Sequence, residues 1–190
     1  MRLRRHVLVG TAAGLAWAGA LRGWMALLVG PASTFSWRTP VLVLAPGAAL
    51  GGLLGWASAL RASGRGTPRA LVLAPGVFAV ALLDPRTARS LVTDGQGSGA
   101  LIVAVTAVAG GHALSHRGWR RTRVATASLA TAGVATVTAM GSMAGPLSSR
   151  RGVGTALLGG SLTAALCVAS TVPYGPPGVV SDSRESLPVE

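Results

Sequence analysis

Acidic residues are scarce in this sequence, five in 190 against 17 basic ones. All five, Asp84, Asp94, Asp182, Glu185 and Glu190, fall outside the long apolar runs. No run therefore offers a carboxylate for proton relay, cation coordination or general acid–base work, which counts against proton-coupled transport and against hydrolysis within a membrane. Lysine is absent, every basic residue being arginine, a bias that a GC-rich genome explains and that implies no mechanism. The single cysteine, Cys167, lies in an apolar run, so no intramolecular disulfide can form. There is no glycine-rich phosphate loop, nucleophile elbow or cysteine cluster. The GRG and GQGSG segments have no lysine after them and read as turns. With neither a nucleophile–base pair nor a metal set, the reading is not an enzyme, with no cofactor and no metal.

What is present points to a bilayer. Half of the residues are hydrophobic and only 12% are charged, where a soluble domain carries about 25%. The expected fold is an all-α, polytopic transmembrane helix bundle with Gly/Ala-rich packing faces. A net charge of +12 could suit nucleic acid, but the arginines fall in short loops between apolar runs rather than in one stripe or tail. The charge reads as membrane topology, with no nucleic-acid partner.

Crossing a hydrocarbon core of about 30 Å takes about 20 helical residues. On that scale the sequence gives six spans, at about 7–29, 40–60, 67–83, 100–114, 124–145 and 153–172. Residues 1–172 thus form one transmembrane domain, and 173–190, rich in Pro, Gly and Ser and ending acidic, form a disordered cytoplasmic tail. The span at 67–83 is the shortest in apolar core and could be tilted or re-entrant. The N-terminus also has the basic, apolar and small-residue layout of a signal peptide, but the apolar pattern resumes past Arg22, so it is kept as the first helix. Asp84-Pro85 opens a short interfacial helix to about residue 92.

Orientation follows from arginine placement. With the N-terminus inside, ten arginines (2, 4, 5, 61, 65, 69, 117, 120, 121 and 123) fall on the inner side and five (38, 86, 89, 150 and 151) on the outer. The bias puts both termini of this multi-pass cell-membrane protein in the cytoplasm. It also implies anionic lipid at the cytoplasmic face, where Trp119 sits among arginines as an interface anchor.

Packing faces can be read from spacing. Gly10, Gly14 and Ala18 on the first span, and Gly47, Gly51 and Gly55 on the second, recur every four residues. Small residues on one face let helix backbones approach closely in lipid. Ser128, Thr131, Thr138 and Ser142 form a comparable seam on the fifth span.

Arg22 continues the first stripe at membrane depth, and an intramembrane cation needs a partner. Depth counting nominates the Leu42 carbonyl, which Pro46 deprives of its helical donor, and the Asp84 carboxylate. The segment LVLAPG occurs at residues 42–47 and 71–76, as an inverted repeat would have it. His112 and His116 share a helix face near the inner end, as does His6 on the first span, and they read as interfacial side chains.

The segments RGWMALLVGPASTFSW, LLDP, SHRGWRRTR and GPLSSRRG resemble a family of uncharacterised small multi-pass integral membrane proteins from GC-rich actinobacteria. The resemblance implies a membrane location and brings no site residue with it. Two classes of function stay open. The first is a structural or accessory membrane protein that packs with itself as a homo-oligomer or with a membrane protein partner. The second is a small transporter or channel for an anionic or lipid-like solute, using Arg22.

Overall fold

The computed structural model describes residues 2–33, 40–83 and 98–176. It is built from helices, with no strand among the described residues. Helix α1, Arg2–Val29, is 28 residues long, about 42 Å at 1.5 Å per residue, so it exceeds the hydrocarbon core and carries its first arginines beyond it. It starts five residues earlier than the apolar run predicts, because leucine and arginine are good helix formers and no breaker intervenes. A 3₁₀ turn at Gly30–Ala32 closes it.

The second span is a composite. A π-helical turn, Pro40–Leu44, runs directly into α2, Ala45–Ala62, with Pro46 just past the junction. At the far end Gly64 takes a positive φ of 72°. Its N–H donates to the Arg61 carbonyl, and that of Arg65 to Leu60 at 2.9 Å. This pair of bonds is a Schellman motif, and glycine is the residue that adopts its left-handed position at no steric cost.

Helix α3, Arg69–Leu83, is a 3₁₀ helix with Pro75 inside it. At about 2.0 Å per residue its 15 residues reach about 30 Å, where an α-helix of that length would reach about 22 Å. The LVLAPG segments therefore differ in conformation. Residues 42–47 straddle a π-to-α junction and residues 71–76 lie within a 3₁₀ helix, so they are not structural equivalents.

Helix α4 is Ser98–Leu114 and α5 is Arg120–Ala139, continued by a 3₁₀ turn at Met140–Ala144. Helix α6, Arg150–Ala169, is N-capped by Ser149, whose Oγ accepts the Gly152 N–H at 3.0 Å. The tail is not irregular from its first residue. Val172–Tyr174 make a 3₁₀ turn, Pro173 is buried, and the Tyr174 ring meets His112 edge-on at 5.8 Å. Proline pre-sets the turn, and the ring contact holds it.

Helices α1 and α2 run antiparallel, Gly10 meeting Gly51 and Gly14 meeting Gly47. Helix α4 packs against α3, α5 and α6. Two clusters form the core. In one, Leu50 of α2, Phe78 of α3, Val103 of α4 and Leu166 of α6 converge; in the other, Leu21 and Trp24 of α1 meet Val137 of α5. The outside of the bundle is apolar too, with Leu8, Leu15, Leu73, Leu157 and Val168 exposed. A water-facing surface does not carry apolar area on that scale.

Four stretches are long and apolar enough to cross a bilayer: Leu3–Val29, Pro40–Ala62, Arg120–Ala144 and Arg150–Tyr174. They mark the chain as a helical membrane protein. Arg69–Ala79 and Leu101–Leu114 are apolar but shorter.

Candidate functional site

The two glycine stripes expected to pack do so against each other. A β-carbon on Gly10 would collide with the Gly51 carbonyl, one on Gly51 with the Gly10 carbonyl, and one on Gly55 with the His6 carbonyl. At Gly14 it would lie 2.8 Å from the Gly51 Cα, and Gly47 faces Ala18. Backbone thus meets backbone over about two turns of each helix, the close approach that supplies dispersion contacts where the hydrophobic effect is missing.

On α5 the packed face is not the one the hydroxyl spacing suggests. Ser128, Thr131 and Ser142 are exposed, and of the four only Thr138 packs, against Gly160. The face turned inward is Ala130, Gly133, Val137 and Gly141, where Gly133 receives the Thr106 side chain and Gly141 the Ala156 backbone. The choice is made by the neighbours, Thr106 of α4 and Ala156 of α6, which reach the backbone at Gly133 and Gly141. The hydroxyls need no partner helix, because Thr138 and Ser142 donate to carbonyls of their own preceding turn, at 2.8 and 2.7 Å.

Arg22 is half-buried and its Nη2 donates to the Ser33 hydroxyl at 3.0 Å. The side chain thus runs toward the end of its own helix and bonds the turn just beyond it. Leu42 lies in the π-helical turn Pro40–Leu44. Asp84 and the helix expected at 84–92 lie outside the described residues, as do residues 177–190 of the tail.

Two residues that the spacing arguments passed over hold α1 to α6. Trp17 donates its indole N–H to the Leu162 carbonyl, and Trp24 donates to the Thr155 carbonyl, each at 2.9 Å. Donors and acceptors are each seven residues apart and run in opposite order, so the helices are antiparallel and in register. Gly159 makes room, its missing side chain filled by the Trp24 ring. Two tryptophans two turns apart on one face were the available signal.

Basic groups gather at one end of the bundle. Arg61, in the last turn of α2, donates to the carbonyls of Val172 at 3.1 Å and Pro176 at 3.2 Å, tying α2 to the residues after α6. At the same end Arg123 Nη2 lies 2.9 Å from His116 Nδ1, while its buried Nε has no hydrogen-bond partner among the described residues. His112 meets Tyr174 and His116 meets Arg123, and among the described residues no group of three ligand-type side chains could hold a metal.

Between α1, α2 and the end of α6 lies a groove with a cavity volume of about 900 Å³. Its walls are apolar or glycine except for Arg5, His6 and Ser58, and it runs inward as far as Trp17, Leu50 and Leu166. A smaller cavity of about 430 Å³ lies between α4 and α5 beside Arg120 and Arg123. No family model matches this chain, and neither a curated protein nor a solved structure is found to match it.

Proposed function

We propose that this is a multi-pass integral membrane protein with six spans and cytoplasmic termini, serving as a structural or accessory component of the membrane. The single observation that carries the reading is the way α1 is fastened on two sides, by glycine-to-backbone contact with α2 and by two indole–carbonyl bonds to α6. A helix fixed in this way suits a scaffold better than a gate, which needs an element with two comparable arrangements.

Six spans are supported by lengths. The 3₁₀ helix α3 covers about 30 Å and the 17 residues of α4 about 25 Å, each close to the core thickness. The orientation is supported by Arg5, Arg61 and Arg123 lying at one end. Reporter fusions at Gly64, Arg120 and Ser148 test the topology, with the first two expected inside and the last outside.

The transport alternative rests on Arg22, a half-buried cation whose Nη2 donates to Ser33, and on the prolines of the second and third spans. Native mass spectrometry together with anion flux into proteoliposomes separates the two readings. A stoichiometric protein partner or self-oligomer without flux supports the accessory role, and flux abolished by Arg22→Ala overturns it.

A further inference from the structure

The groove between α1, α2 and α6 has a polar end and an apolar end. Arg5, His6 and Ser58 stand at one, and Trp17, Leu50 and Leu166 at the other. From Arg5 to Trp17 is 12 residues of α1, about 18 Å along the helix axis. One leaflet of the hydrocarbon core is about 15 Å deep, so the groove runs from the headgroup level to about the bilayer centre. Val9, Ala13 and Ala165 on its walls are exposed, leaving it open from the side.

Among the described residues the charges at its mouth have one sign. Arg4 and Arg5 begin α1, Arg61 ends α2, and all five acids of the chain lie outside the described residues. A basic mouth one leaflet above an apolar floor complements an amphiphile with an anionic head and a hydrocarbon tail.

We propose that this groove is a binding site for one anionic phospholipid, its phosphate against Arg5 beside His6 and one acyl chain laid along Gly10, Ala13 and Gly14 to Trp17. The glycines matter twice, since they bring α1 and α2 together and leave the groove floor without side chains. The site is independent of the accessory role, because a scaffold and a transporter could both hold the lipid.

The test is native mass spectrometry of the purified full chain in mild detergent with phosphatidylglycerol or phosphatidylcholine added at equal concentration. One phosphatidylglycerol is expected to stay bound and phosphatidylcholine to be lost. Arg5→Gln is expected to weaken retention roughly fivefold, the weight of one arginine near an anionic lipid surface. Ala13→Phe and Ala165→Phe, which fill the groove from exposed positions, are expected to abolish retention, and Arg120→Gln at the smaller basic cavity to leave it unchanged. Equal retention of both lipids by the parent, retention of neither, or an adduct lost in Arg120→Gln but kept in Arg5→Gln overturns the proposal. The parent comparison and Arg5→Gln, an exposed position, do not depend on a filled groove still folding.

Discussion

The Trp24 ring occupies the space that a β-carbon on Gly159 would need, and its N–H donates to the Thr155 carbonyl one turn before that glycine. Space and bond depend on each other. Trp24→Phe keeps most of the ring and removes the donor, so it should cost about 0.5–1.5 kcal/mol. Gly159→Ala keeps the donor but forces the ring aside, which should cost about 1–3 kcal/mol. Reversible unfolding in mixed micelles measures both, and a double variant no worse than Gly159→Ala alone would show that the two changes act on one contact.

Glycines on α1 and α2 should divide sharply by position. Gly51→Ala drives a methyl into the Gly10 carbonyl and should destabilise by more than about 2 kcal/mol, since only backbone is there to yield. Gly19→Ala and Gly23→Ala meet nothing within 4 Å. They should be neutral, or stabilising by up to about 1 kcal/mol through helix propensity. Midpoints of unfolding for the three variants, measured side by side, check the division.

The pairing of Arg22 with Ser33 should appear as a modest coupling. A double-mutant cycle with Arg22→Leu and Ser33→Ala is expected to give about 0.6 kcal/mol, the average for hydrogen bonds within membrane bundles, and at most about 1.7. Additive effects would show that the 3.0 Å contact contributes nothing to stability.

Arg61→Ala should release the residues after α6 without unfolding the bundle. Both bonds it removes end on backbone carbonyls, those of Val172 and Pro176. Amide exchange at Tyr174, whose N–H bonds the Thr171 carbonyl, is expected to quicken while α6 stays protected. Gly175→Ala should do the same from the other side, because its β-carbon would strike the Arg61 guanidinium.

The outward face of α5 should tolerate change where its inward face does not. Ser128→Leu and Thr131→Val alter exposed positions and should stay within about 0.5 kcal/mol of the parent. Gly133→Ala pushes against the Thr106 hydroxyl and should cost more than either. Thermal denaturation of the three variants in detergent is the measurement.

The helices and the packing faces of α1 and α2 were legible in the sequence because they rest on long apolar runs and on the four-residue spacing of Gly10, Gly14, Gly47, Gly51 and Gly55, although that spacing did not say that the two faces meet each other. The inward face of α5 was not. Alanine, glycine, serine and threonine are all small, so two stripes on one helix satisfy the same spacing rule, and the choice is made by neighbours such as Thr106 and Ala156. The Trp17 and Trp24 bonds escaped for another reason, since their acceptors are main-chain carbonyls, which every residue has. Arg22 was recognisable as a group needing a partner, but the Ser33 hydroxyl, just past the end of its own helix, is not a group that counting depths between neighbouring helices brings up.

The two tryptophan bonds bear on the order of assembly. Trp17 and Trp24 reach acceptors 145 and 131 residues further along the chain. At about 5–20 residues per second of synthesis, α1 waits on the order of ten seconds for α6. Its glycine partners on α2 arrive within the next few dozen residues. The first two helices can therefore meet as a hairpin early in synthesis, while the indoles stay among lipids or insertion machinery. The last helix to be made completes the surroundings of the first, so a chain that stops short of Thr155 leaves α1 with a finished glycine face and an unfinished tryptophan one.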